Sequence, residues 1–416
     1  MTPALHPLIS AWPAASTPPV RLRVSGSAES SLRRGHPWLY AERIQDQSRE
    51  GRAGDQAVVF DRKRAFLAVG LYDPHSPIRL RVLRARRSGP IDAAFFAERV
   101  EAALTRRASL PATDTDGYRL IHGESDGLPG CVVDRYAATL VVKLYSHAWL
   151  PHLAVLLGEL LTRQPAERVV LRFARQVSED ADLLGGLHDG LIILGEPASQ
   201  TLTFRENGLL YEVDPIHGQK TGFFLDQRDN RARVRESAGG LRVLNVCSYT
   251  GGFSLAAAAG GARHVLSLDL SGPALAAATR NVALNADLPA VAACDHTTLE
   301  GDAFAQLEAL AARGERYDLV VLDPPAFARK RAQVERALSA YARLTGLGLG
   351  VLADGGQLVT ASCSSPVTPE AFRGAVPSGA RRARRELHDV TEAGHAVDHP
   401  TDFAESRYLK CLFARA

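Results

Sequence analysis

At 416 residues the chain is too long for one ordinary hydrophobic core, so we expect two or three domains. Its hydrophobic content of 46% and charged content of 23% are typical of a soluble globular protein, and the net charge of +3 gives no global basic field for a nucleic-acid partner. No apolar run reaches membrane-spanning length, so no membrane partner is expected. The five cysteines form no CxxC pair, which argues against a zinc site or a disulfide framework and fits a reducing cytoplasm.

The chain begins with a proline-rich segment and continues with short strands. Residues 1–19 lack a cationic segment before their apolar residues, so they predict a flexible extension rather than a signal peptide. Residues 20–88 contain short alternating runs separated by turns, which predict a small all-β barrel. Its last strand, residues 78–87, carries arginines opposite the apolar set, either as a solvated face or as a contact for RNA phosphates. The candidate RNA-binding residues of this domain are Arg33, Arg34, His36, Arg79 and Arg81.

Residues 89–203 follow a Ser-Gly-Pro turn and predict a small α+β domain of the EEHEE type. A polar turn with His122, Glu124 and Asp126 has side chains that can bind metals, but a simple turn is the better interpretation, and no metal site is predicted. The predicted elements are helices at 92–107 and 150–162 and strands at 118–121, 131–135, 140–144, 169–173 and 191–194.

Residues 204–416 contain the elements of a doubly wound α/β domain with a mostly parallel sheet. A hairpin at residues 204–213 is indicated by an Asn-Gly turn. The next segment, residues 215–228, is dense in glycine, aromatic and polar residues. Core packing explains its two phenylalanines but not its remaining polar residues, which we expect to face a ligand: Lys220, Gln227 and Arg228.

The stretch from Leu241 to Leu255 is the expected centre of this domain. A buried strand at residues 241–246 ends in a loop at 248–252 with two adjacent glycines, and an Ala-rich helix follows. Glycine lets the backbone approach a ligand closely, and a helix start offers N–H donors. The loop lacks GxGxxG spacing, which argues against a dinucleotide. The pattern therefore predicts a site for another nucleotide-like ligand.

Polar residues follow the predicted strand ends along the rest of this domain. Ligands of doubly wound sheets bind at the carboxyl ends of the strands, so these residues are expected to share one site. An acid about eighteen residues after Gly251 suits the hydroxyls of a ribose. The predicted strands and the residues that follow them are 264–268 with Asp269, 291–293 with Asp302, 317–322 with Asp323, and 357–361 with Cys363.

Five motifs in this domain resemble a known family. They are HGQKTGFFLDQRDNR, NVCSYTGGFS, LDPPAFARKR, ASCSS and DHPTDFAESRYLKCL, and GHPWLY and SPIRLRVL extend the resemblance into the first domain. Together they are similar to the bacterial large-subunit rRNA 5-methylcytosine methyltransferases that use S-adenosylmethionine. The resemblance implies a PUA domain, a small α+β linker domain and a Rossmann-like class I methyltransferase domain. It also implies methylation of one cytosine at C5 in 23S rRNA, and it allows a homodimer.

The residues fit the chemistry that this resemblance implies. Cytosine C5 is a poor nucleophile, and a thiolate that adds to C6 makes C5 enamine-like and able to accept a methyl group. Cys363 is the predicted nucleophile, although a small buried filler is the alternative role. Asp323 is predicted to hold the N3/N4 edge of the cytosine and Asp302 to meet the adenine amino group. Lys220 and Phe327 are predicted to contact RNA. The candidate cofactor-binding residues are Gln227, Arg228, Asn245, Ser248, Tyr249, Thr250, Gly251, Phe253, Asp269, Asp302 and Asp323.

The chain departs from the wider family pattern at one position. Many RNA 5-methylcytosine methyltransferases have a second cysteine directly after the proline of the DPP motif, where it helps to release the product. Here Ala326 follows Pro325. The base that removes the C5 proton and the group that assists release of Cys363 are therefore left unassigned, with water and Asp323 as alternatives.

Two other functions are compatible with parts of the pattern. Related rRNA methyltransferases that make 7-methylguanine carry similar YTG and DPP-F motifs but no cysteine after the fifth strand, and N6-adenine methyltransferases usually have an aromatic residue directly after the two prolines. A non-catalytic RNA-binding protein that holds S-adenosylmethionine as a structural ligand is a third class. Cys363 distinguishes the 5-methylcytosine hypothesis from all of these.

Overall fold

The computed structural model of the protein describes residues 4–196 and 201–416. The chain divides into two compact units. The first unit comprises Met1–Phe204 and Val213–Phe223, and the second unit comprises Arg205–Glu212 and Phe224–Ala416. Across residues 4–196 and 201–416, none of the helices has both the length and the apolar character that a membrane span requires.

Strands dominate the first third of the described chain, and strands alternate with helices in the rest. The strands are β1 (Val20–Val24), β2 (Trp38–Tyr40), β3 (Ile44–Gln47), β4 (Gln56–Phe60), β5 (Phe66–Tyr72), β6 (Ile78–Ala85), β7 (Gly117–His122), β8 (Cys131–Tyr136), β9 (Thr139–Leu144), β10 (Arg168–Phe173), β11 (Leu191–Leu194), β12 (Leu202–Glu206), β13 (Leu209–Val213), β14 (Arg242–Val246), β15 (His264–Asp269), β16 (Asp295–Glu300), β17 (Tyr317–Leu322), β18 (Leu352–Ser362), β19 (His388–Ala393) and β20 (Lys410–Arg415). The α-helices are α1 (Pro7–Ser10), α2 (Gly26–Arg33), α3 (Ala93–Arg106), α4 (Leu153–Arg163), α5 (Arg175–Ser178), α6 (Arg228–Ser237), α7 (Gly252–Ala259), α8 (Gly272–Ala283), α9 (Pro289–Ala292), α10 (Ala303–Ala312), α11 (Val334–Gly350) and α12 (Pro369–Arg382).

The N-terminal β domain of the first unit, residues 20–88, contains a six-stranded sheet in the order β2-β6-β5-β4-β1-β3. Its strands follow the predicted alternation, because in β1 the residues Val20, Leu22 and Val24 are buried and the arginines between them are exposed. Within this predominantly β domain one short helix, α2, follows β1. Ser25 caps this helix by accepting a hydrogen bond from the backbone N–H of Ala28. A serine in this position is a local signal for a helix start, and the prediction of strands alone did not use it.

The central domain of the first unit, residues 89–203, has a five-stranded sheet in the order β11-β10-β9-β8-β7. The two predicted helices are present as α3 and α4, and the five predicted strands are present as β7 to β11. Three strands precede α4 rather than the two of the EEHEE pattern. Parallel pairing of β9 with β10 explains the position of α4, since a parallel connection needs a crossover.

The N-terminal β domain and the central domain share one hydrophobic core. Val69, Leu71 and Leu83 of the β domain belong to the same buried cluster as Phe96 and Trp149 of the central domain. A strand of the β domain therefore has two buried faces, one on its own core and one on the central domain. This second buried face is a property that alternation within one strand does not reveal.

The first residues of the chain differ from the predicted flexible extension. Helix α1 lies within them, and Ile9 is buried in the shared core. The backbone N–H of His6 donates to the carbonyl oxygen of Ile193 at 2.8 Å, and Trp12 packs against the same core. The apolar residues of this segment explain the difference, because they cover a surface of the central domain that would otherwise meet water.

Buried ion pairs cross the central domain. Arg107 donates to both carboxylate oxygens of Asp126 at 2.9 and 2.7 Å, and Arg119 does the same to Asp134 at 2.7 and 2.9 Å. Asp126 also accepts from the backbone N–H of His122 at 2.7 Å. The carboxylate of Asp126, in the polar turn with side chains that can bind metals, is therefore engaged by Arg107 and by the backbone of His122.

The sheet of the second unit has seven strands in the order β16-β15-β14-β17-β18-β20-β19. The first five of these run parallel, and β20 pairs antiparallel with both β18 and β19. The predicted strands at 241–246, 264–268, 317–322 and 357–361 are confirmed as parts of β14, β15, β17 and β18. The doubly wound α/β prediction is therefore correct.

Three strands of this sheet differ from the sequence analysis. The run at 291–293 is helical, because Pro289 starts the short helix α9, and the third parallel strand is β16 at Asp295–Glu300 instead. That strand lies at the edge of the sheet and is mostly exposed, so it lacks the apolar run that marked the others. Strands β19 and β20 were not predicted either.

The hairpin before this sheet has the predicted turn. Strands β12 and β13 form a two-stranded sheet, and Asn207 and Gly208 between them have φ of 50° and 77°. Two successive positive φ values are typical of the type I′ turn that Asn-Gly favours.

We expect Asp126→Asn to lower the free energy of unfolding of the first unit by about 3–5 kcal/mol, because the buried guanidinium of Arg107 loses its carboxylate. Urea unfolding followed by tryptophan fluorescence measures this, since Trp12, Trp38 and Trp149 all lie in the first unit. As a control, Glu179→Gln removes the exposed partner of Arg175 and should change stability by less than about 0.5 kcal/mol. Equal effects of the two substitutions would contradict the buried-pair assignment.

Candidate active site

The sheet register of the second unit brings the predicted polar residues to one edge. Val246 of β14 lies opposite Leu268 of β15 and Leu322 of β17, and Leu322 lies opposite Thr360 of β18. These four residues form a row across the sheet, close to the carboxyl end of each strand. The polar residues that end or follow these strands are Asp269, Asp323 and Cys363.

The loop after β14 has an unusual backbone. Cys247, Tyr249 and Gly251 have φ of 58°, 48° and 77°, so alternate residues adopt the left-handed conformation. The chain then enters α7 at Gly252. A non-glycine residue with positive φ is uncommon, and such residues cluster at ligand sites where the surrounding structure holds them in place.

Gly251 is required by the packing of the protein itself. A Cβ at this position would lie 2.6 Å from the Cβ of Ala278, which is closer than real Cβ atoms come. Helices α7 and α8 therefore approach closely only because residue 251 has no side chain.

Asp269 holds the loop in this shape. Its carboxylate accepts from the backbone N–H of Tyr249 at 2.8 Å and from that of Ser271 at 3.0 Å. Asp302 lies at the same edge, one strand farther out, where it caps α10 by accepting from the backbone N–H of Ala305 at 3.0 Å. Both acids lie at the edge of the sheet where the sequence placed them, and their contacts with a ribose and an adenine stay predictions.

Two hydroxyl groups in this loop fit a polar ligand. Ser248 Oγ and Thr250 Oγ1 are buried, and within residues 4–196 and 201–416 neither makes a hydrogen bond. A buried hydroxyl without a partner carries a free-energy cost of about 1–3 kcal/mol, which a ligand atom at this point would remove. Together with the acids at 269 and 302, this pair fits S-adenosylmethionine, whose ribose and amino acid groups offer donors and acceptors.

Asp323 follows β17 and is positioned by a chain of amides. Gln227 Nε2 donates to Asp323 Oδ2 at 2.9 Å, and Asn230 Nδ2 donates to Gln227 Oε1 at 2.6 Å. Gln227 is buried. The predicted ligand-facing glutamine therefore acts on the site by orienting the carboxylate of Asp323.

Cys363 lies beside the DPP motif. Its Sγ is 4.0 Å from the carbonyl oxygen of Pro324, the residue after Asp323, and the side chain is half-buried. The sulfur therefore stays at the edge of the sheet and does not turn into the hydrophobic interior. Asp323 and Cys363 thus lie at neighbouring strand ends, as the covalent mechanism requires.

The other cysteines have environments that disfavour a thiolate. Burial raises the pKa of Cys131 and of Cys411 far above the ordinary thiol value, and both side chains are fully buried. Burial and the carboxylate of Asp269 raise the pKa of Cys247 to about 12, and burial raises that of Cys294 to about 11. These four are poor candidates for a nucleophile.

Three of the residues predicted to bind the cofactor are buried and have contacts within the protein. Arg228 is buried and donates to both carboxylate oxygens of Asp398 at 3.0 and 2.8 Å, so its role is to fix a distant segment of the chain. Asn245 is buried under the loop and donates to Ser254 Oγ at 2.9 Å. Phe253 is buried in α7. The charge of Arg228 is thus used in an internal ion pair that the sequence pattern does not distinguish from a ligand contact, whereas Asn245 Oδ1 is buried and has no hydrogen-bond partner within the described residues.

Phe327 also has a packing role. Its ring lies 4.7 Å from the ring of Tyr341 and 6.4 Å from that of Phe304, and the side chain is half-buried against two core clusters. The structure thus accounts for this phenylalanine by contacts within the second unit.

The arginine stripe on the N-terminal β domain is mostly internal. Arg81 is only 4% exposed and donates to the carbonyl oxygens of Ile78 and Tyr145 at 3.1 Å each. Arg79 is half-buried and donates to the carbonyl oxygens of Asp73 and Pro74. The alternation along β6 predicted the right face, but the central domain covers that face, so the prediction of a solvent-exposed stripe was wrong for Arg81.

The other predicted RNA-binding residues lie at or near the end of α2 and in the loop at 214–222. Arg33 is exposed but donates to Asp61 at 2.7 Å, whereas Arg34 ends the helix in an exposed position. His36 Nδ1 lies 3.2 Å from the backbone nitrogen of Trp38. Lys220 is half-buried in the first unit with φ of 56°, and its carbonyl oxygen accepts from Lys143.

The C-terminal segment contributes residues that sequence analysis did not single out. Tyr341 of α11 is bonded to Ser362 Oγ and Ser364 Oγ at 2.9 Å each, on both sides of Cys363. Lys410 of β20 is buried and donates to the carbonyl oxygen of Ser364 at 2.7 Å. The only local signal for Lys410 was its place in the motif ending YLKCL, and the contact depends on a strand pairing that was not predicted.

Comparison with known families identifies both parts of the chain. Residues 190–413 match the model of a family described as S-adenosylmethionine-dependent methyltransferase, and residues 22–85 match a PUA-like domain. The first match alone covers more than half of the chain. The chain belongs to the S-adenosylmethionine-dependent methyltransferase family.

Curated relatives of this methyltransferase extend over nearly its whole length. A protein named ribosomal RNA large subunit methyltransferase from Deinococcus radiodurans is 52% identical over 96% of this chain and 98% of its own. Proteins named ribosomal RNA large subunit methyltransferase I from Photobacterium profundum and Escherichia coli O157:H7 are 38% and 36% identical, over 92% and 95% of this chain and 96% and 99% of their own. At this identity and coverage the methyltransferase and these relatives are members of one family.

Solved structures share the fold of this methyltransferase. A protein described as a methyltransferase complexed with SAH has a TM-score of 0.80 at 22% identity, and one described as a SAM-dependent methyltransferase from Streptococcus mutans has a TM-score of 0.78 at 21% identity. Each comparison covers 95% of this chain and 100% of the other. The cofactor predicted from the sequence is therefore the cofactor of the family, S-adenosylmethionine.

We expect Gly251→Ala to weaken binding of S-adenosylmethionine and to lower the free energy of unfolding by about 1–3 kcal/mol more than Gly240→Ala does. Gly240 is the matched control, because its φ of 71° is close to the 77° of Gly251 but a Cβ there has no neighbour within 4 Å. Calorimetric titration and chemical unfolding measure the two quantities. Equal losses in both variants would show that backbone strain alone, and not the approach of α7 to α8, requires the glycine.

We expect Asp398→Asn to lower the free energy of unfolding by about 3–5 kcal/mol at neutral pH, because the buried guanidinium of Arg228 loses its buried carboxylate and keeps only the exposed one of Asp229 at 3.4 Å. Burial alone would raise the pKa of Asp398, but His399 and Arg228 hold it well below its ordinary value. A carboxyl whose folded pKa lies below its unfolded value of about 3.9 stabilises the fold fully above that pH and progressively less below it. The difference between variant and wild type, measured by calorimetry, should therefore shrink below about pH 4.

The control for this substitution is Asp354→Asn. Asp354 is fully exposed beside Arg385, so its removal should change stability little at any pH. A difference for Asp398→Asn that stays constant down to pH 2 would contradict the ionised pair.

Proposed function

We propose that this methyltransferase forms 5-methylcytosine in 23S rRNA through a covalent bond between Cys363 Sγ and cytosine C6. The observation that carries the proposal is the position of that sulfur, half-buried at the end of β18 and 4.0 Å from the carbonyl oxygen of Pro324. The names of the curated relatives support an rRNA of the large subunit as the substrate. A cytoplasmic location and a homodimer stay predictions.

The proposed reaction begins at the sulfur. The Cys363 thiolate adds to C6 of a cytosine, the C5–C6 double bond opens, and electron density moves to C5. S-adenosylmethionine, when bound, supplies an electrophilic methyl group to C5. A base then removes the proton from C5, the C5–C6 double bond forms again, and the bond from C6 to sulfur breaks to return the thiolate.

Asp323 has the geometry of a group that positions the base. One of its oxygens accepts from Gln227, so the plane of its carboxyl group is fixed before substrate arrives. A carboxylate in this place can accept a hydrogen bond from the N4 amino group of cytosine, and a protonated one can donate to N3. Groups fixed in advance stabilise developing charge most, since they need not reorganise during the reaction.

The site lacks the second cysteine that assists product release in many RNA 5-methylcytosine methyltransferases. Ala326 is half-buried after the two prolines and offers no polar group. The base that takes the C5 proton stays unassigned, with a water and Asp323 as the two candidates, and the group that assists departure of the sulfur is to be sought among other residues of the site.

The RNA contacts proposed for the first unit are assigned to side chains at or near the exposed end of α2. Arg34, at the end of α2, is exposed, and Arg33 and His36 lie within three residues of it. Phosphate contacts of this kind hold the RNA without reading its sequence. The PUA-like domain is thus proposed to position the rRNA, while the second unit modifies it.

We expect Cys363→Ala to reduce methyl transfer to rRNA by a factor on the order of 10⁴ or more, because removal of a covalent nucleophile abolishes the chemical step. Affinity for S-adenosylmethionine should stay unchanged. The measurement is incorporation of labelled methyl groups into large-subunit rRNA that lacks the modification, with mass spectrometry to identify the product nucleoside. Cys294→Ala is the matched control and should keep wild-type activity, because Cys294 lies outside the site.

A trapping experiment tests the covalent bond directly. With RNA that contains 5-fluorocytosine, C5 has no removable proton after methylation, so wild-type enzyme should accumulate as a protein–RNA complex stable to denaturation. Full activity of Cys363→Ala, or methylguanine or N6-methyladenine as the product, would replace the cytosine proposal with a purine methyltransferase.

A further inference from the structure

Lys410 is a buried cation next to the site. It is only 5% exposed, and in the part of the chain that the structure describes it forms no ion pair with an acid. Its Nζ donates to the carbonyl oxygens of Ser364 and Tyr408 at 2.7 Å each. Carbonyl oxygens are weak substitutes for water around an ammonium group, so a lysine in this position is costly unless an anion lies close by.

The strand pairing places Lys410 at the carboxyl end of β18, next to the two residues that flank Cys363. Strands β18 and β20 are antiparallel, and Lys410 lies directly opposite Ser362. Its ammonium reaches along β18 to the carbonyl group of Ser364. Cys363 lies between these two serines in the sequence, so the ammonium group is bound to the carbonyl oxygen of the residue directly after it. Burial lowers the pKa of Lys410, and the proximity of Cys363 acts in the opposite direction and raises it.

Other ionisable groups lie near Lys410 and Cys363. His395, His399 and Arg407 line the same cavity as Lys410. Tyr341 lies on the α11 side, where burial raises the pKa of its phenol, so it is neutral and bonded to Ser362 and Ser364. Asp323 lies on the β17 side and would oppose a thiolate. Cys411 of β20 is fully buried, and burial raises its thiol pKa.

We propose that Lys410 is a positioning residue for the reaction, whose ammonium group serves as the counter-ion of the Cys363 thiolate. The proposal rests on the covalent role of Cys363 given above. The two hydrogen bonds to carbonyl oxygens do not by themselves require a charged side chain, because a neutral donor could make them. The proposed role gives the charge of Lys410 a function.

The charge state of Lys410 supports this role near neutral pH. Burial lowers the pKa of Lys410 to about 8, against the opposing effect of Cys363, so the ammonium form predominates at pH 7. A neighbouring cation lowers the pKa of a thiol and increases the thiolate fraction, and the thiolate is the nucleophile. Conversely, the thiolate compensates for the burial of the ammonium group.

The same cation acts at the end of the reaction. When the C5 proton leaves, the electron pair of the C6–S bond returns to sulfur, and Lys410 stabilises the thiolate as it departs. A thiol with a lower pKa is a better leaving group. Lys410 therefore supplies part of the help with release that Ala326 cannot give, and it keeps all its protons throughout.

The test measures the ionisation of Cys363 without RNA or cofactor. Full-length wild type and Lys410→Gln are alkylated with iodoacetamide from pH 5 to pH 10, and the modified fraction of the peptide that carries Cys363 is followed by mass spectrometry. Glutamine keeps an N–H donor for the carbonyl groups but removes the charge. Lys63→Gln, on an exposed turn of the N-terminal β domain, is the matched control.

We expect Lys410→Gln to raise the midpoint of the alkylation profile by at least one pH unit, so that the rate at pH 7 falls about tenfold or more while the rate at pH 10 stays similar. The control should follow wild type. If Lys410 only holds the backbone, the rate at high pH changes and the midpoint does not, and that result would overturn the proposal.

A second variant covers failure of Lys410→Gln to fold. Cys363→Ser removes the thiolate with little change in volume, and Lys410 should then lose its proton at a lower pH, as measured by nitrogen-detected NMR of labelled lysine. An unchanged titration of Lys410 would overturn the proposal. Because neither experiment measures methyl transfer, either result stands apart from the outcome for Cys363→Ala on rRNA.

Activity gives an independent readout of the same idea. With a folded Lys410→Gln variant, kcat for methyl transfer should fall at pH 7 with the KM for S-adenosylmethionine unchanged, and the acid limb of the pH–rate profile should move to higher pH. A uniform loss at all pH values would indicate a structural role alone.

Discussion

The parallel register of β14, β15, β17 and β18 determines the geometry of the whole site. Each strand ends within a few residues of the same row, so side chains far apart in the sequence meet at one edge of the sheet. A shift of one residue in any pair would move that strand's polar residue to the opposite face, because side chains alternate. The buried leucines and valines of these strands prevent such a shift, and hydrophobic burial thereby fixes the distances that the chemistry needs.

A second requirement is that polar groups inside the unit be paired. Arg228 binds Asp398 across 170 residues of sequence, and the amide of Asn230 orients Gln227, which in turn orients Asp323. The pair of Arg228 and Asp398 ties the segment before the sheet to the segment near the C-terminus, and the bond of Gln227 to Asp323 ties the same first segment to the end of β17. The orientation of Asp323 therefore depends on Gln227 and, through it, on Asn230, in the way that outer groups commonly fix catalytic ones.

Much of this arrangement followed from the sequence, and the exceptions share a physical cause. Apolar runs identified β14, β15, β17 and β18, and the residues at or just after their ends, Asp269, Asp323 and Cys363, were placed correctly at the sheet edge. Alternation within a strand shows which side chains share a face but not what covers that face. For this reason Arg81 was expected in solvent and Arg228 at a ligand, whereas both are buried against other parts of their own unit.

Lys410 shows the limit of local patterns in another way. Its contact partner Ser364 is 46 residues away, and the contact exists only because β20 inserts beside β18 in an antiparallel sense. Strand β16 was missed for a different reason, because a strand at the exposed edge of a sheet does not need a run of apolar residues. Both cases require knowledge of the sheet order, which single-strand periodicity does not contain.

The shared core of the N-terminal β domain and the central domain limits how the chain can be dissected. An excised fragment that ends near residue 88 would expose Val69, Leu71 and Leu83 to water and leave Arg81 without its carbonyl partner Tyr145. Such a fragment should be prone to aggregation. The smallest stable piece that contains the N-terminal β domain is therefore expected to include the central domain as well.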